Sequence, residues 1–282
     1  MKRLFFALAI LVANFTIEAQ VKTPAPSPKA VLNQTVGLTD VTLEYSRPSS
    51  KGRIVFGDLV PFGKLWRTGA NGNSTITFSD DVVIKGTKLP KGKYAIFTTP
   101  KADMWEIIFY SATDNWGIPE NWDASKVVVS TNVDPMMLNL PVETLTMSIN
   151  NLTNDSGTLD ISWEKTMVSL KFEVPTRKSA MASIDKALAG PTAGDYFSSA
   201  QYLYSSDADA KKALEYVNKA VTMSGDDVPF WYLRQKSLIQ AKAGDKVGAI
   251  ATAKQSLAAA EKAKNNDYVK MNNDSIKEWS KK

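Results

Sequence analysis

The sequence predicts an α+β protein with two parts: an antiparallel β-sandwich or jelly-roll-like domain, then an all-α array of tetratricopeptide-like helical hairpins. Residues 30–175 contain short runs in which apolar and polar side chains alternate, as at residues 41–45. From residue 176 the composition shifts toward Ala, Lys, Leu and Asp, and the apolar period lengthens toward 3.6. Within this second part a helical pattern repeats, which is typical of stacked helix pairs.

The first 19 residues have the features of a secretory signal peptide. Lys2 and Arg3 form a basic start, residues 4–13 are apolar, and we expect cleavage after Ala19. The apolar run is too short to cross a bilayer, and no later run reaches about 18 apolar residues. We therefore expect an exported protein, periplasmic or extracellular, that has no membrane span and begins with a flexible linker at residues 20–29.

The predicted β domain, residues 30–175, contains nine strand candidates. Gly, Pro and Asx residues mark the connections, as in Pro90-Lys-Gly92 and Asn154-Asp-Ser-Gly157. Nine or ten strands at this spacing are typical of a sandwich or jelly-roll-like barrel. The candidates are residues 41–45, 75–78, 82–84, 93–99, 105–110, 126–131, 144–150, 158–164 and 169–173.

The predicted helical domain, residues 176–282, contains an internal repeat. Small and apolar positions recur after 36 residues: Ala213, Val217 and Ala220 become Ala249, Ala253 and Ser256. Phe197, Ala200 and Tyr204 precede the first copy at the spacing of a tetratricopeptide repeat, in which small residues let paired helices approach closely.

The second copy of the repeat departs from this pattern in its first helix. There we expect Trp231, Leu238 and Ala241 to take over the packing positions. Gly244-Asp245 fits the turn between the two helices, and residues 268–279 fit a last helix that caps the stack.

The composition excludes several mechanisms, because the chain has no His and no Cys. Zinc sites of ordinary nitrogen and sulfur ligands, Ser-His-Asp or Cys-His catalysis and disulfides cannot be built. We expect no cofactor and no metal site. The net charge is +5, or +4 once Lys2, Arg3 and Glu18 are removed, and the charges are dispersed, so we expect no nucleic-acid partner.

Five motifs lie between residues 45 and 97. With them, residues 27–131 resemble the exported family known as domain of unknown function 2911, in which Leu is usual where Ile96 stands. The resemblance implies an exported β domain, often followed by a helical tail, and it brings no established activity. The motifs read Tyr45-Ser-Arg-Pro48, Lys51-Gly-Arg53, Phe56-Gly-Asp-Leu-Val-Pro61, Trp66-Arg-Thr-Gly-Ala-Asn71 and Gly92-Lys-Tyr-Ala-Ile-Phe97.

The motif segment also supplies the candidate ligand-binding residues. Its cations would bind an anionic group, its Asp and Asn would add polar contacts, and its Tyr and Trp would stack on a sugar ring or a peptide. A structural role is the favoured alternative, because the arginines could satisfy buried carbonyls or pair with carboxylates. The candidates are Tyr45, Arg47, Lys51, Arg53, Asp58, Trp66, Arg67 and Asn71.

Other tryptophans are candidates for an aromatic platform. Trp105 and Trp163 would equally suit a sandwich core. Trp116 and Trp122 fall in a predicted loop between two strands, and we expect them to be the exposed pair.

Three functions from different classes remain open. The first is a non-catalytic binding or assembly module of the cell envelope, which would bind a protein or peptide in the groove of the helical repeats and an anionic or glycan ligand at the β domain. The second is an envelope hydrolase or isomerase with carboxylate or Ser-Lys chemistry, using Asp58, Ser46 or Ser49, and Lys51. The third is a purely structural or stress-related exported protein. The missing catalytic side chains favour the first.

Overall fold

The computed structural model describes residues 23–281, so the predicted signal peptide and its cleavage site lie outside the described residues. The described chain forms ten strands followed by six α-helices. The strands are β1 (Lys29–Val36), β2 (Thr39–Ser46), β3 (Thr75–Phe78), β4 (Val82–Ile84), β5 (Thr87–Leu89), β6 (Gly92–Thr99), β7 (Trp105–Tyr110), β8 (Val127–Val133), β9 (Met136–Asn150) and β10 (Ser156–Glu173). The helices are α1 (Thr176–Ala187), α2 (Ala193–Ser205), α3 (Ala210–Met223), α4 (Phe230–Lys242), α5 (Lys246–Lys262) and α6 (Asn266–Trp279).

Two antiparallel sheets make up the N-terminal part. The first has six strands in the order β1-β2-β3-β6-β7-β8, and the second has four in the order β5-β4-β10-β9. The strand candidates at residues 158–164 and 169–173 belong to one continuous strand, β10. Its register shifts around Glu164, whose φ of 52° lies in the left-handed region, so a bulge and not a turn separates the two halves.

One hydrophobic cluster draws side chains from both sheets. Leu43 and Ile107 come from the six-stranded sheet, whereas Leu145, Ile161 and Phe172 come from the four-stranded sheet. All five are buried. Burial of apolar area shared between the sheets is therefore the main favourable contribution to the stability of this part.

The loop between β7 and β8 covers a second, smaller cluster. Its anchor is Trp122, whose ring stacks on Tyr110 at 4.5 Å between centroids and meets Phe97 edge-on at 5.3 Å. We expected Trp116 and Trp122 to form an exposed pair. Trp116 is 83% exposed, but Trp122 is partly buried, so the prediction was wrong for Trp122.

The helices pack as successive neighbours around buried small residues. The six positions of the repeat are all buried: Ala213, Val217, Ala220, Ala249, Ala253 and Ser256. Side chains cap the helix starts, as when Thr192 and Asp195 form a reciprocal capping box at α2. Gly244 has a φ of 89° and Asp245 caps α5, so the predicted turn between α4 and α5 is present. Within residues 23–281, no helix is long and apolar enough to cross a membrane.

The junction between the two parts is close-packed at the start of α1. The Leu38 N–H donates to Thr176 Oγ1 at 3.3 Å. A Cβ on Gly37, whose φ is +58°, would overlap Thr176 Oγ1 and the Asn154 carbonyl. The β1–β2 turn thus needs glycine both for its backbone conformation and for contact with the first helix.

Candidate functional site

Strand β9 lies at the edge of the four-stranded sheet, and the chain that follows β2 covers its free edge. The Ser50 N–H donates to the carbonyl of Glu143 at 2.8 Å, and the Leu145 N–H donates to the carbonyl of Pro48 at 2.9 Å. An uncovered edge would present unpaired main-chain groups. The motif segment at residues 47–50 therefore closes this edge.

Two predicted site residues, Tyr45 and Arg47, also form hydrogen bonds with the edge strand β9. Tyr45 is buried, and its hydroxyl donates to the Met147 carbonyl at 3.0 Å and accepts from the Met147 N–H at 2.9 Å. Arg47 donates from Nε to the Leu145 carbonyl at 2.9 Å and from Nη2 to Thr146 Oγ1 at 2.8 Å. Tyr45 on β2 and Arg47 just after β2 thus connect the six-stranded sheet to the edge strand β9 of the four-stranded sheet.

The turn at residues 49–53 is held by a carboxylate and by carbonyl groups. The Ser50 hydroxyl and the Lys51 N–H donate to Glu143, and these two bonds, with the hydroxyl first, lower the pKa of Glu143 below its ordinary value. Arg53 donates from Nε to the Ser50 carbonyl at 2.8 Å and from Nη2 to the Ser49 carbonyl at 2.9 Å. The Arg53 guanidinium is thus fixed in position.

A cavity of about 350 Å³, which we call the cationic cavity, opens beside this turn. Its lining contains three cations and two indoles but, among residues 23–281, no carboxylate. Its volume lies at the lower end of small-molecule sites. The lining residues are Ser27, Pro48, Arg53, Leu59, Val60, Pro61, Lys64, Leu65, Trp66, Arg67, Gly69, Ala70 and Trp163.

The two indoles of the cationic cavity form one apolar wall. Trp163 is 2% exposed, and its Nε1 donates to the Glu143 carbonyl at 3.2 Å. Trp66 stacks on it, with 5.9 Å between ring centroids and 19° between ring planes. The Trp66 main chain pairs with Thr98 in both directions, at 2.7 and 2.9 Å, so the wall is anchored to β6.

Arg67 adds an unsatisfied polar group to this cavity. Its Nε is buried and has no hydrogen-bond partner among the described residues. Leaving a buried donor unpaired costs on the order of 1–3 kcal/mol, and groups of this kind call for an explanation. Arg67 itself lines the cavity, so a ligand there would lie next to this side chain.

The backbone is strained at the next residue. Thr68 is fully buried and has a φ of +55°, which is an outlier for a β-branched side chain. Hydrogen bonds hold it there: Ser74 Oγ donates to the Thr68 carbonyl at 2.7 Å, and the Thr68 and Thr98 hydroxyls lie 3.1 Å apart. Strain of this kind costs on the order of 1–3 kcal/mol and clusters at ligand sites.

The charge of the cationic cavity selects for an anion. Arg53, Lys64 and Arg67 line one space. At an effective dielectric constant of about 20, a cation about 4 Å from an anion contributes roughly 4 kcal/mol of attraction before desolvation is subtracted. A cationic ligand would be repelled by the same three side chains, less so by Arg53 and Lys64, which are exposed to solvent.

The eight predicted site residues thus separate into three groups. Arg53, Trp66 and Arg67 line the cationic cavity, whereas Tyr45 and Asn71 line a neighbouring cavity. Arg47, Lys51 and Asp58 line neither cavity, and the last two are exposed.

The residues proposed for hydrolase or isomerase chemistry make other contacts. The Ser49 and Thr144 hydroxyls lie 2.9 Å apart, and Ser46 Oγ accepts from Asn71 Nδ2 at 3.2 Å. Asp58 and Lys51 are exposed at the surface. Across residues 23–281 there is no group of three or more acidic side chains placed to hold a metal ion.

Two of the five charged or aromatic residues of the cationic cavity, Lys64 and Trp163, were not among the predicted ligand candidates. Lys64 lies between two of the motifs, and its position two residues before Trp66 is the signal that could have found it. Trp163 lies on β10 and was a candidate only for a platform or the core. No local pattern indicates that it contacts Trp66, because that contact depends on how the two sheets pack.

Comparison with known proteins gives one match. The family model described as "Protein of unknown function (DUF2911)" matches residues 27–172, which include β1 to β9 and nearly all of β10. The match extends beyond the 27–131 expected from the motifs and takes in Glu143 and Trp163. Searches of curated proteins and of solved structures return no match.

Proposed function

The chain belongs to the family described as protein of unknown function (DUF2911), a description that names no activity. We propose from the geometry that it is a non-catalytic binding protein. Its ligand is a small anion with a flat apolar face, held in the cationic cavity. The class includes uronate sugars and aromatic carboxylates. A carboxylate accepts two parallel bonds from an Arg guanidinium, and a flat ring fits against an indole.

The observation that carries this proposal is the buried, unpartnered Nε of Arg67 beside strained Thr68. Arg47, by contrast, donates from Nε to the Leu145 carbonyl and from Nη2 to Thr146 Oγ1. Arg67 instead faces a space that also contains Arg53 and Lys64. The unpaired donor, the strain and the surplus positive charge all agree with an anion at this position.

The proposed architecture has two separately built parts. The shared core of the two sheets supports a β-sandwich at residues 30–175, because side chains of both sheets meet in one cluster. The buried repeat positions and the turn at Gly244 support a tetratricopeptide-like array at residues 176–282. Protein export with cleavage after Ala19 is part of the proposal, as is a periplasmic or extracellular location.

The helical part supports the partner-binding half of the proposal. Helices α2, α4 and α6, with Lys246 at the start of α5, line a groove of about 460 Å³ that contains Tyr204, Lys242 and Trp279. A peptide selected from a displayed library against the mature protein should lose binding when Trp279→Ala is introduced. Enriched peptides that bind the variant as well as the parent would remove this half of the proposal.

Calorimetric titration tests the anion site. The probes are a uronate disaccharide, benzoate and a sugar phosphate, added to the mature protein and to Arg67→Met. Loss of a hydrogen bond to a charged group costs about 1.5–3 kcal/mol, so affinity should fall about 10- to 150-fold. Arg177→Met is the matched control, because Arg177 is exposed on α1 and outside the cavity.

The outcomes are distinct. Binding of one probe that is lost in Arg67→Met and kept in Arg177→Met supports the proposal. If none of the three probes binds the mature protein, or if both variants bind equally well, the cationic cavity is not an anion site of this class.

A further inference from the structure

We propose a second binding site, for the ring of a neutral carbohydrate, in the cavity next to the cationic one. This cavity of about 330 Å³, here called the amide cavity, includes an exposed indole and three Asn side chains in its lining: Trp116, Asn71, Asn73 and Asn115. It is separate from the proposed anion site, because the two cavities share no lining residue.

The indole of Trp116 is the first observation. It is 83% exposed, the largest exposure among the exposed large apolar residues of the described chain. Indoles bury 150–250 Å² in most proteins, so an exposed one is informative. The ring lies near Gly72 at Cε3, which a Cβ on Gly72 would approach to 3.9 Å. Most of the ring surface is open to a ligand, since the residue is so exposed.

The loop that presents this indole is fixed by one side chain. Asn73 donates from Nδ2 to the Gly117 carbonyl at 2.9 Å, and its Oδ1 accepts from the Asn115 N–H at 3.1 Å and from Asn115 Nδ2 at 3.2 Å. The Asn73 N–H also donates to the Asn115 carbonyl at 3.2 Å. Four hydrogen bonds therefore hold the residues on either side of Trp116, so little ordering entropy remains to be lost on binding.

The polar groups around the indole suit hydroxyl ligands. Asn115 uses Nδ2 for bonds to Asn73 and Ala112, which leaves Oδ1 on the other branch of the amide as an acceptor. Asn71 likewise uses Nδ2, for Ser27 and Ser46. The Asp114 carboxylate is exposed at the cavity and adds a strong acceptor. Sugar hydroxyls donate to such groups, while one face of a pyranose is apolar.

The charge of the amide cavity favours a neutral ligand. Its lining contains Lys29 and Lys93 together with Glu44 and Asp114. Both ammonium groups already pair with Glu44, at 2.6 and 2.9 Å. Positive and negative side chains balance here, in contrast to the cationic cavity, so an anion would gain little from entering.

The test uses the indole N–H signals of the ¹⁵N-labelled mature protein. The Trp116 signal is assigned by its loss in Trp116→Ala, and the probes are neutral gluco-, galacto-, manno-, xylo- and N-acetylglucosamine oligosaccharides at millimolar concentration. We expect at least one probe to move this signal. In calorimetric titration with that probe, Trp116→Ala should weaken binding by at least about 30-fold, as at an aromatic hot spot, and Asp114→Ala by about 10-fold.

Trp231→Ala is the matched control, since Trp231 is 42% exposed on α4. It should leave carbohydrate binding unchanged, as should Arg67→Met, so failure of the anion site and failure of this site are distinguishable. The proposal is overturned if no neutral oligosaccharide moves the Trp116 signal, if Trp116→Ala binds as the parent does, or if a proline-rich peptide moves the signal and sugars do not.

Discussion

Replacing Tyr45 with Phe isolates the bond that joins the two sheets. The Tyr45 hydroxyl is the partner of both the N–H and the carbonyl of Met147, at 2.9 and 3.0 Å. Phe keeps the ring in its buried position and opens no cavity of ring size. The substitution therefore tests the hydrogen bonds with little change in packing.

The expected cost follows from the two main-chain groups left behind. An unsatisfied buried polar group costs about 1–3 kcal/mol, and water can reach part of an edge strand, so we expect a loss of about 2–3 kcal/mol. With a urea m-value of about 2 kcal/mol/M, a loss of 2 kcal/mol lowers the unfolding midpoint by about 1 M.

The assay is urea unfolding followed by tryptophan fluorescence, because Trp66, Trp105 and Trp163 all pack in the β part. Tyr94→Phe is the control. Tyr94 is similarly buried, but its hydroxyl donates only to the nearby Pro90 carbonyl at 2.7 Å, so we expect a loss of about 1 kcal/mol. A Tyr45→Phe midpoint no lower than that of Tyr94→Phe would refute the role of Tyr45 as a link between sheets.

Two further predictions concern the junction and the acid stability. Gly37→Ala should cost about 3 kcal/mol or more in unfolding free energy, because the new Cβ overlaps Thr176 Oγ1. The control Gly86→Ala has open space at its φ of +82° and should cost only the backbone strain of about 1–2 kcal/mol. Equal losses in the two variants would contradict the contact with α1. Bonds from Lys29 and then Lys93 lower the pKa of Glu44 below its ordinary value of 4.5, so its contribution is present above pH 4.5 and is lost as the pH falls through the lowered pKa. Glu44→Gln should therefore flatten the acid side of the melting temperature against pH, and an unchanged slope would count against this ion pair.

Strands were predictable from the sequence where apolar residues mark a buried face. Very short strands and edge strands were harder to predict. Residues 75–78 and 105–110 match β3 and β7. Strand β1 was not among the candidates, because it is an edge strand whose apolar residues range from exposed Val31 to buried Val36. Strand β5 has three residues, of which only Leu89 is apolar, so its sequence gives no strand signal. Bulge formation at Glu164 cannot be read from residue types alone.

In the helices, residue size was a poor guide to the packing positions. Trp231 was expected to pack in α4 but is 42% exposed, whereas Leu233 and Ile239 are buried. Leu233 stands 36 residues after Phe197, at the corresponding position of the repeat. Close-packed helix pairs bury small and medium side chains, so a large aromatic residue is not a reliable marker of the buried face.

The candidate site was predictable only for residues that lie close together in the sequence. Arg53, Trp66 and Arg67 lie within one motif-rich segment and were identified from it. Tyr45 and Arg47 instead form hydrogen bonds with β9, about 100 residues later in the chain, and these contacts show that both side chains link the two sheets. Those contacts follow from sheet pairing, which residue types do not specify.

Whether the cationic cavity binds an anion is decided by the unfolding free energy of Arg67→Met, measured with and without a bound anion. Because Arg67 Nε has no partner to lose, we predict that the unliganded variant is as stable as the parent, or up to about 1 kcal/mol more stable. The anion that binds the parent should then stabilise the parent by more than it stabilises the variant. A loss of about 2 kcal/mol in the unliganded variant would instead show that Arg67 stabilises the fold. That result would contradict the proposal that the cationic cavity is an anion-binding site.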